Sequence, residues 1–237
     1  MSSIIDFHSH ILPAIDDGSQ SLEQSIAMMR ASAKQGVDCM IATPHFYAHH
    51  DDPKKFLKKR AEAEALLRDA LEKESGLPKL GIGSEVYYFN GIADSDILLE
   101  LTINKKRYIL IEMPMTTWTD RMYRDLEGIW IKQGLTPIIA HIDRYISPFH
   151  TREVMKRLED LPVLVQANAS FFTSNSTRRT AMRLLKQRRI HLLGSDCHDM
   201  SERAPNLGEA VKNIEKKLGQ ESIHRINFYE DEVLMGE

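Results

Sequence analysis

The sequence predicts an α/β fold made of repeated β/α units, and three observations predict it. Short apolar, β-branched runs alternate with longer amphipathic segments along the whole chain, the pattern of parallel strands joined by crossover helices. Seven such units in 237 residues leave about 33 residues each, which fits a closed or nearly closed β/α barrel more comfortably than the doubly wound open sheet that is its alternative. Polar residues of metal-ligand type also fall in a telling place: His8, His45, Glu85, Glu112, His141 and Asp196 each lie directly or a few residues after an apolar run, and none before one. The carboxyl ends of barrel strands converge on one rim, whereas an open sheet spreads them along an edge.

Taken in order, the first strand is expected at Ser3–Phe7, ahead of the polar His8-Ser9-His10, and an amphipathic helix at Leu22–Gln35 closes on Gly36. The second strand is expected at Asp38–Ala42, followed by a long charged helix over Pro53–Glu74 that Gly76 closes. Apolar runs then place strands at Leu80–Ser84 and Tyr108–Ile111, and the helix Asp120–Gln133 ends at Gly134. Glycine after a helix supplies the left-handed residue that such ends favour. The remaining strands are expected at Pro137–Ala140, Val163–Ala167 and His191–Gly194, with helices at Thr151–Glu159, Thr177–Gln187 and Asn206–Leu218. No Ser- or Gly-rich linker, low-complexity tract or repeat interrupts this series, so one domain over residues 1–237 is expected.

With 42% hydrophobic residues the chain is too apolar for a disordered protein, and no apolar run approaches a membrane span. A formal charge of −3 argues against bulk nucleic acid as a partner. The opening MSSIIDFHSH lacks a basic and apolar signal, so a cytoplasmic location is the default expectation. Cys39 and Cys197 are too few for a disulfide framework. A chain of this size builds its core without a zinc staple, so a metal here would be catalytic.

The chemistry concentrates at the run ends. His8 and His10 form an H-x-H pair, Asp17 follows in an acidic turn with Asp16, and Asp196 with His198 forms a D-x-H pair. Each alone has an ordinary reading as a loop or turn residue; Glu85 and Glu112, directly after apolar runs, need a cation or hydrogen bonds to offset desolvation. Together with His45 and His141 they give five imidazoles and four carboxylates. That set suits manganese, iron or zinc, is too large for one ion, and with two or three ions suits hydrolysis of a phosphoester.

The runs DFHSHILPAIDDG, IATPH, GSEVYY, YILIEM, TPIIAHIDRY and GSDCH closely resemble the PHP (polymerase and histidinol phosphatase) superfamily, and more narrowly its capsule-type bacterial protein-tyrosine phosphatases. The resemblance covers nearly the whole chain. It implies a distorted seven-stranded β/α barrel, up to three metal ions, commonly manganese, and the nine residues His8, His10, Asp17, His45, Glu85, Glu112, His141, Asp196 and His198 as ligands. It further implies Arg144 and Arg203 as phosphate-binding residues, hydrolysis of phosphotyrosine by metal-activated hydroxide, and a tyrosine kinase of polysaccharide export as substrate. Asp143 stands where many relatives have Glu, and SERAPN replaces Gly-Arg-Pro-Pro around Arg203.

Other readings are a histidinol-phosphate or other small-molecule phosphatase, an amidohydrolase-type C–N hydrolase, and a non-catalytic phosphotyrosine-binding regulator; a homo-oligomer is left open. Cys197 and Arg203 also have the C-x5-R spacing of cysteine phosphatases, but the intervening HDMSE carries two carboxylates and no glycine, a poor phosphate cradle. Asp199 is a candidate proton donor, and Tyr87, Tyr88 and Tyr145 are candidates to pack on an aromatic leaving group. The basic segments Lys54–Arg60 and Thr177–Arg189 read as solvated helix faces, or as docking sites for an anionic tail.

Overall fold

The computed structural model describes residues 3–146 and 151–236, so the ends of the expected 1–237 unit lie outside the described residues. Elements follow in chain order as β1 (Ile5–Ser9), α1 (Leu22–Lys34), β2 (Cys39–Ala42), β3 (His45–Phe46), α2 (Pro53–Leu71), β4 (Lys79–Ile82) and β5 (Glu85–Tyr87). Next come α3 (Leu98–Leu101), β6 (Tyr108–Glu112), α4 (Asp120–Gln133), β7 (Thr136–Ile139), α5 (Asp143–Ile146), α6 (Thr151–Leu158) and β8 (Leu164–Asn168). The chain ends with α7 (Ala169–Thr173), α8 (Arg178–Lys186), β9 (Leu192–Gly194), α9 (Leu207–Leu218) and α10 (Gln220–Met235).

All strand pairs are parallel, in the orders β1-β2-β4 and β3-β5-β6-β7-β8-β9. The sheet curls until its last strand returns to its first: Ser9 bridges Cys197, the His10 amide donates to the Cys197 carbonyl (2.9 Å) and the Asp196 amide to the His8 carbonyl (2.7 Å). The distorted β/α barrel expected from sequence is therefore borne out. Two expected strands are each followed by a further short strand that was not expected. Thr43-Pro44 separates β2 from β3, and Gly83-Ser84 separates β4 from β5; proline has no N–H for a ladder and glycine weakens one. His45 and Glu85 thus open new strands instead of trailing old ones, and they face each other in register across β3 and β5. Likewise His8 lies inside β1 rather than after it.

Side chains of one strand face go to the barrel interior, where Ile5, Phe7, Ile41, Leu110, Ile138 and Leu192 form a small cluster. The other face, with Met40, Ile109, Ile111, Ile139 and Val165, packs on the helices through residues such as Met28, Leu67, Leu126, Leu185 and Ile214. Helix α10 was not expected, because no strand follows it and the β/α alternation does not call for it. It covers the interior cluster with Val233, flanked by Tyr229 and Leu234. The three closing glycines, Gly36, Gly76 and Gly134, take φ of +84°, +72° and +65° as predicted.

Gly194 ends β9 against β1, where an added Cβ would lie 2.5 Å from the His8 Cβ and 2.9 Å from the His8 nitrogen. Backbone cannot yield as a flexible side-chain end would. Gly194→Ala should therefore lower unfolding stability by about 1–3 kcal/mol in urea titration, and unchanged stability would contradict this packing.

Candidate metal centre

Local backbone features aim the polar residues at one point. Pairing of β1 with β2 slips between Asp6 and Ser9, and such bulges re-aim side chains beside functional sites. His141 and Asp196, two residues past β7 and β9, hold φ of +30° and +54°, a strained conformation for residues with a Cβ. Asp6, buried in β1, accepts from the amides of Ser195 (2.8 Å) and His8 (3.2 Å) and so ties the first and last strands together behind the site. Burial holds its carboxyl up at about 6 against those hydrogen bonds.

The centre is the buried carboxylate of Glu85. Its Oε2 lies 3.1 Å from His8 Nε2, 3.3 Å from His10 Nε2 and 3.1 Å from His45 Nδ1, and its Oε1 lies 2.8 Å from His141 Nε2. Asp196 Oδ1 is 3.5 Å from His8 Nε2 and 3.6 Å from His10 Nε2. Glu112 Oε2 is 3.8 Å from His45 Nδ1, and Glu112 Oε1 is 3.6 Å from His141 Nε2. The exposed Asp17 places Oδ1 3.5 Å from both His45 Nε2 and His198 Nε2. All nine sequence-predicted ligands are brought together.

Three histidines are oriented from behind. His8 Nδ1 meets Gln166 Oε1 (3.3 Å), His10 Nδ1 meets Asp16 Oδ2 (2.7 Å) and His198 Nδ1 meets the Asp196 carbonyl (3.0 Å). Each arrangement favours the N–H on Nδ1, so that in the neutral imidazole the Nε2 lone pair faces the cluster, as metal-binding histidines are held. Glu85 Oε2, His45 Nδ1 and His198 Nε2 are buried with no hydrogen-bond partner. Orphaned buried donors and acceptors of this kind are costly unless another group satisfies them, and an imidazole–carboxylate set without thiolate fits a divalent cation. Donor atoms within 4.8 Å of one another form three overlapping groups: His10, Asp17, His45 and His198; His8, His10 and Glu85; His45, Glu85 and Glu112.

Charge balance follows from this crowding. Burial disfavours the Glu85 carboxylate, but His8, His10 and His141 outweigh it and hold Glu85 well below the usual range. Burial and the nearby Glu85 charge push Glu112 up to about 7. Burial lowers His10, yet Asp16 and Glu85 hold it at about 10. Burial, with the His10 and Arg203 charges, lowers His198 to about 4.

Both predicted arginines reach the cluster at its half-exposed rim. Arg144 Nη2 and Arg203 Nη2 (2.7 Å) bracket the Asp196 carboxylate, and Arg144 Nη1 lies 3.6 Å from Glu112. Asp199 Oδ1 accepts from the Ser201 amide and hydroxyl and the Arg203 amide (3.2 Å). Those bonds lower its pKa and shape the turn that carries Arg203. Cys197 is fully buried and burial pushes its thiol well above its ordinary value, which removes it as a nucleophile. Tyr145 bonds the Met113 backbone and Tyr88 the Asp125 carboxylate (2.6 Å), so both are structural. Tyr87 instead packs on Tyr47, centroids 5.6 Å apart, and Tyr47 lines a cleft beside Asp17 and His45.

Sequence reasoning missed the supporting residues. Asp16 orients His10 and also accepts from the amides of Gly18 (3.0 Å) and His45 (3.0 Å); as one of two adjacent aspartates it carried no separate signal. Gln166 also accepts from the His141 amide (2.6 Å), and Asn168 donates to Asp196 (3.0 Å). Both sit in β8, whose polar LVQAN end was the available clue.

A profile of the capsular polysaccharide synthesis family CpsB/CapC matches residues 4–235. Tyrosine-protein phosphatase CpsB of Streptococcus agalactiae serotype III (strain NEM316) is 28% identical over 234 residues, 94% of this chain and 94% of that protein. Tyrosine-protein phosphatase YwqE of Bacillus subtilis (strain 168) is 31% identical over 234 residues, 92% of this chain and 86% of that protein. A crystal structure from work on YwqE of Bacillus subtilis and CpsB of Streptococcus pneumoniae, described as unique metal-dependent tyrosine phosphatases, superposes with a TM-score of 0.86 at 27% identity. The match covers 99% of this chain and 95% of that one.

A ligand imidazole must be unprotonated, whereas His10, at about 10, is protonated at neutral pH in the metal-free site. Metal loading should therefore release protons, so the calorimetric enthalpy at neutral pH will vary with the ionisation enthalpy of the buffer. A buffer-independent enthalpy would contradict the assignment.

Proposed function

The chain belongs to the CpsB/CapC capsular polysaccharide synthesis family, and from this premise we propose that it is a metal-dependent protein-tyrosine phosphatase. The observation that carries the reading is the three overlapping donor groups sharing His10, His45 and Glu85, with two guanidiniums at the same rim. The overlap supports more than one divalent ion, two or three in this reading, held by His8, His10, Asp17, His45, Glu85, Glu112, His141, Asp196 and His198; manganese is the ion that the family resemblance implies. Bound divalent ions supply a nucleophile from water at neutral pH and neutralise phosphoryl oxygens.

The chain's own residues supply the rest. Arg144 and Arg203 present planar forks to the phosphoryl group and stabilise its charge as the P–O bond breaks. Their anchorage on Asp196 holds both at the mouth of the cluster. Gln166, Asp16 and the Asp196 carbonyl keep the Nε2 atoms of His8, His10 and His198 turned inward. Tyr47 walls the adjoining cleft, with the Tyr87 ring packed behind it, and offers a ring face to a phenolic leaving group. A phenolate is a weak base, so little protonation of the leaving group is required. The family's link to capsular polysaccharide synthesis supports a tyrosine kinase of capsule or exopolysaccharide production as the protein substrate, met in the cytoplasm by the chain acting as one catalytic unit.

Phosphate release from a phosphotyrosyl peptide should stop on chelation and return with manganese, while thiol alkylation and Cys197→Ser leave it unchanged; the opposite pair of results would overturn the mechanism. Faster turnover of histidinol phosphate than of the peptide would favour the small-molecule reading. Arg144→Ala and Arg203→Ala should each lower kcat by about 10²–10³ fold, the cost of removing one stabilising group, with urea midpoints near wild type.

A further inference from the structure

A second charged site lies on the outer surface. A groove between α8 and α9 is lined by Arg178, Arg179, Lys216 and Lys217, with Asn175 and Asn213 between them and Met182 on its wall. No carboxylate lines it, and none of the four cations has an ion pair or hydrogen bond among the described residues. The neighbouring Glu215 is engaged by Gln220. Four uncompensated cations in one groove are conspicuous on a chain of net charge −3, because like charges gathered without partners repel and favour an anionic occupant.

Part of the other basic segment is tied into the fold. On α2, Arg60 is buried and donates to the Gly83 and Glu100 carbonyls and the Ser84 hydroxyl, Lys59 donates to the Ile15 carbonyl (2.8 Å), and Lys58 lies 3.8 Å from Glu62. Arg60 and Lys59 are thus tied to the fold, whereas the four cations of the α8–α9 groove have no such partner among the described residues.

We propose that the α8–α9 groove docks an acidic peptide segment of the protein substrate, separate from the phosphotyrosine that enters the metal centre. The proposal rests on the reading of a protein substrate given above. A peptide suits the lining better than a polyanionic surface does. Asn213 donates to the Phe172 carbonyl (3.4 Å) through its amide nitrogen, which leaves its side-chain oxygen to accept a peptide N–H. Asn175 offers the same amide chemistry, Met182 gives an adaptable apolar wall, and the cations meet Asp and Glu side chains.

The test uses the metal-loaded enzyme and a labelled, unphosphorylated peptide rich in Asp and Glu, followed by fluorescence anisotropy beside its Asn/Gln counterpart. The acidic peptide should bind more tightly, should weaken with salt, and should lose about tenfold or more in affinity in the R178Q/R179Q/K216Q/K217Q variant. The same variant should raise KM for a phosphotyrosyl peptide carrying an acidic flank and leave turnover of a small aryl phosphate within about twofold. Equal binding of the two peptides, or undiminished binding by the variant, overturns the proposal, as does tighter binding of duplex DNA or anionic vesicles than of the peptide. Failure of phosphotyrosine turnover with peptide binding intact would sink the catalytic reading and leave the groove standing.

Discussion

A carboxylate taken out of water must find positive charge, and Glu85 is the place where this fold meets that demand. Its oxygens lie among four imidazole nitrogens, from β1 and its end (His8, His10), β3 (His45) and the turn after β7 (His141), and the remaining polar groups are arranged around that contact. Left alone, a buried charge of this kind costs several kcal/mol. Imidazoles in the metal-free chain, and cations when bound, supply the compensation. The same need explains why second carboxylates are tolerated so close: Glu112 takes up a proton more readily beside Glu85, while Asp196 is held ionised by histidines and arginines against its burial.

Backbone irregularities concentrate around the same point. The slip in β1, the breaks that open β3 and β5, and the positive φ of His141 and Asp196 all lie within the cluster's own segments. A regular strand sends successive side chains to opposite faces, and regular strands would not bring donors from six of them to one point. Strain of this kind persists where surrounding structure over-determines it. Here the Asp6 bonds to Ser195 and His8, the Gln166 bond to the His141 amide and the Gly194 contact with His8 do so. The apolar interior beneath, closed by α10, gives those bonds a rigid base.

Much of this was legible in the sequence. Apolar runs ending in His or carboxylate mark strand termini because burial and ligand function leave opposite compositional traces, and this brought out six of the cluster residues; the H-x-H and D-x-H pairs added His10 and His198, and an acidic turn added Asp17. Motif resemblance added the two arginines, whose contact with Asp196 no spacing rule could have foretold. What stayed hidden depends on three-dimensional partners. Asp16 and Asp17 are adjacent and chemically identical, yet one turns inward to His10 and the other outward to His45 and His198. The part Asp199 plays in shaping the turn that carries Arg203 shows only in its bonds to the Ser201 and Arg203 amides. Tyr145 and Tyr88 read as site residues until their hydroxyls are found bonded to Met113 and Asp125, while Tyr47 offers no motif at all. Helix α10 escaped because its partner is the barrel floor rather than a following strand.

The central claim is that the buried Glu85 cluster is a multi-ion metal centre, and anomalous diffraction from crystals grown with manganese tests it most directly. The account predicts anomalous peaks at bonding distance from Glu85 and from His8, His10 or His45. Peaks confined to surface carboxylates, with none beside Glu85, would contradict it.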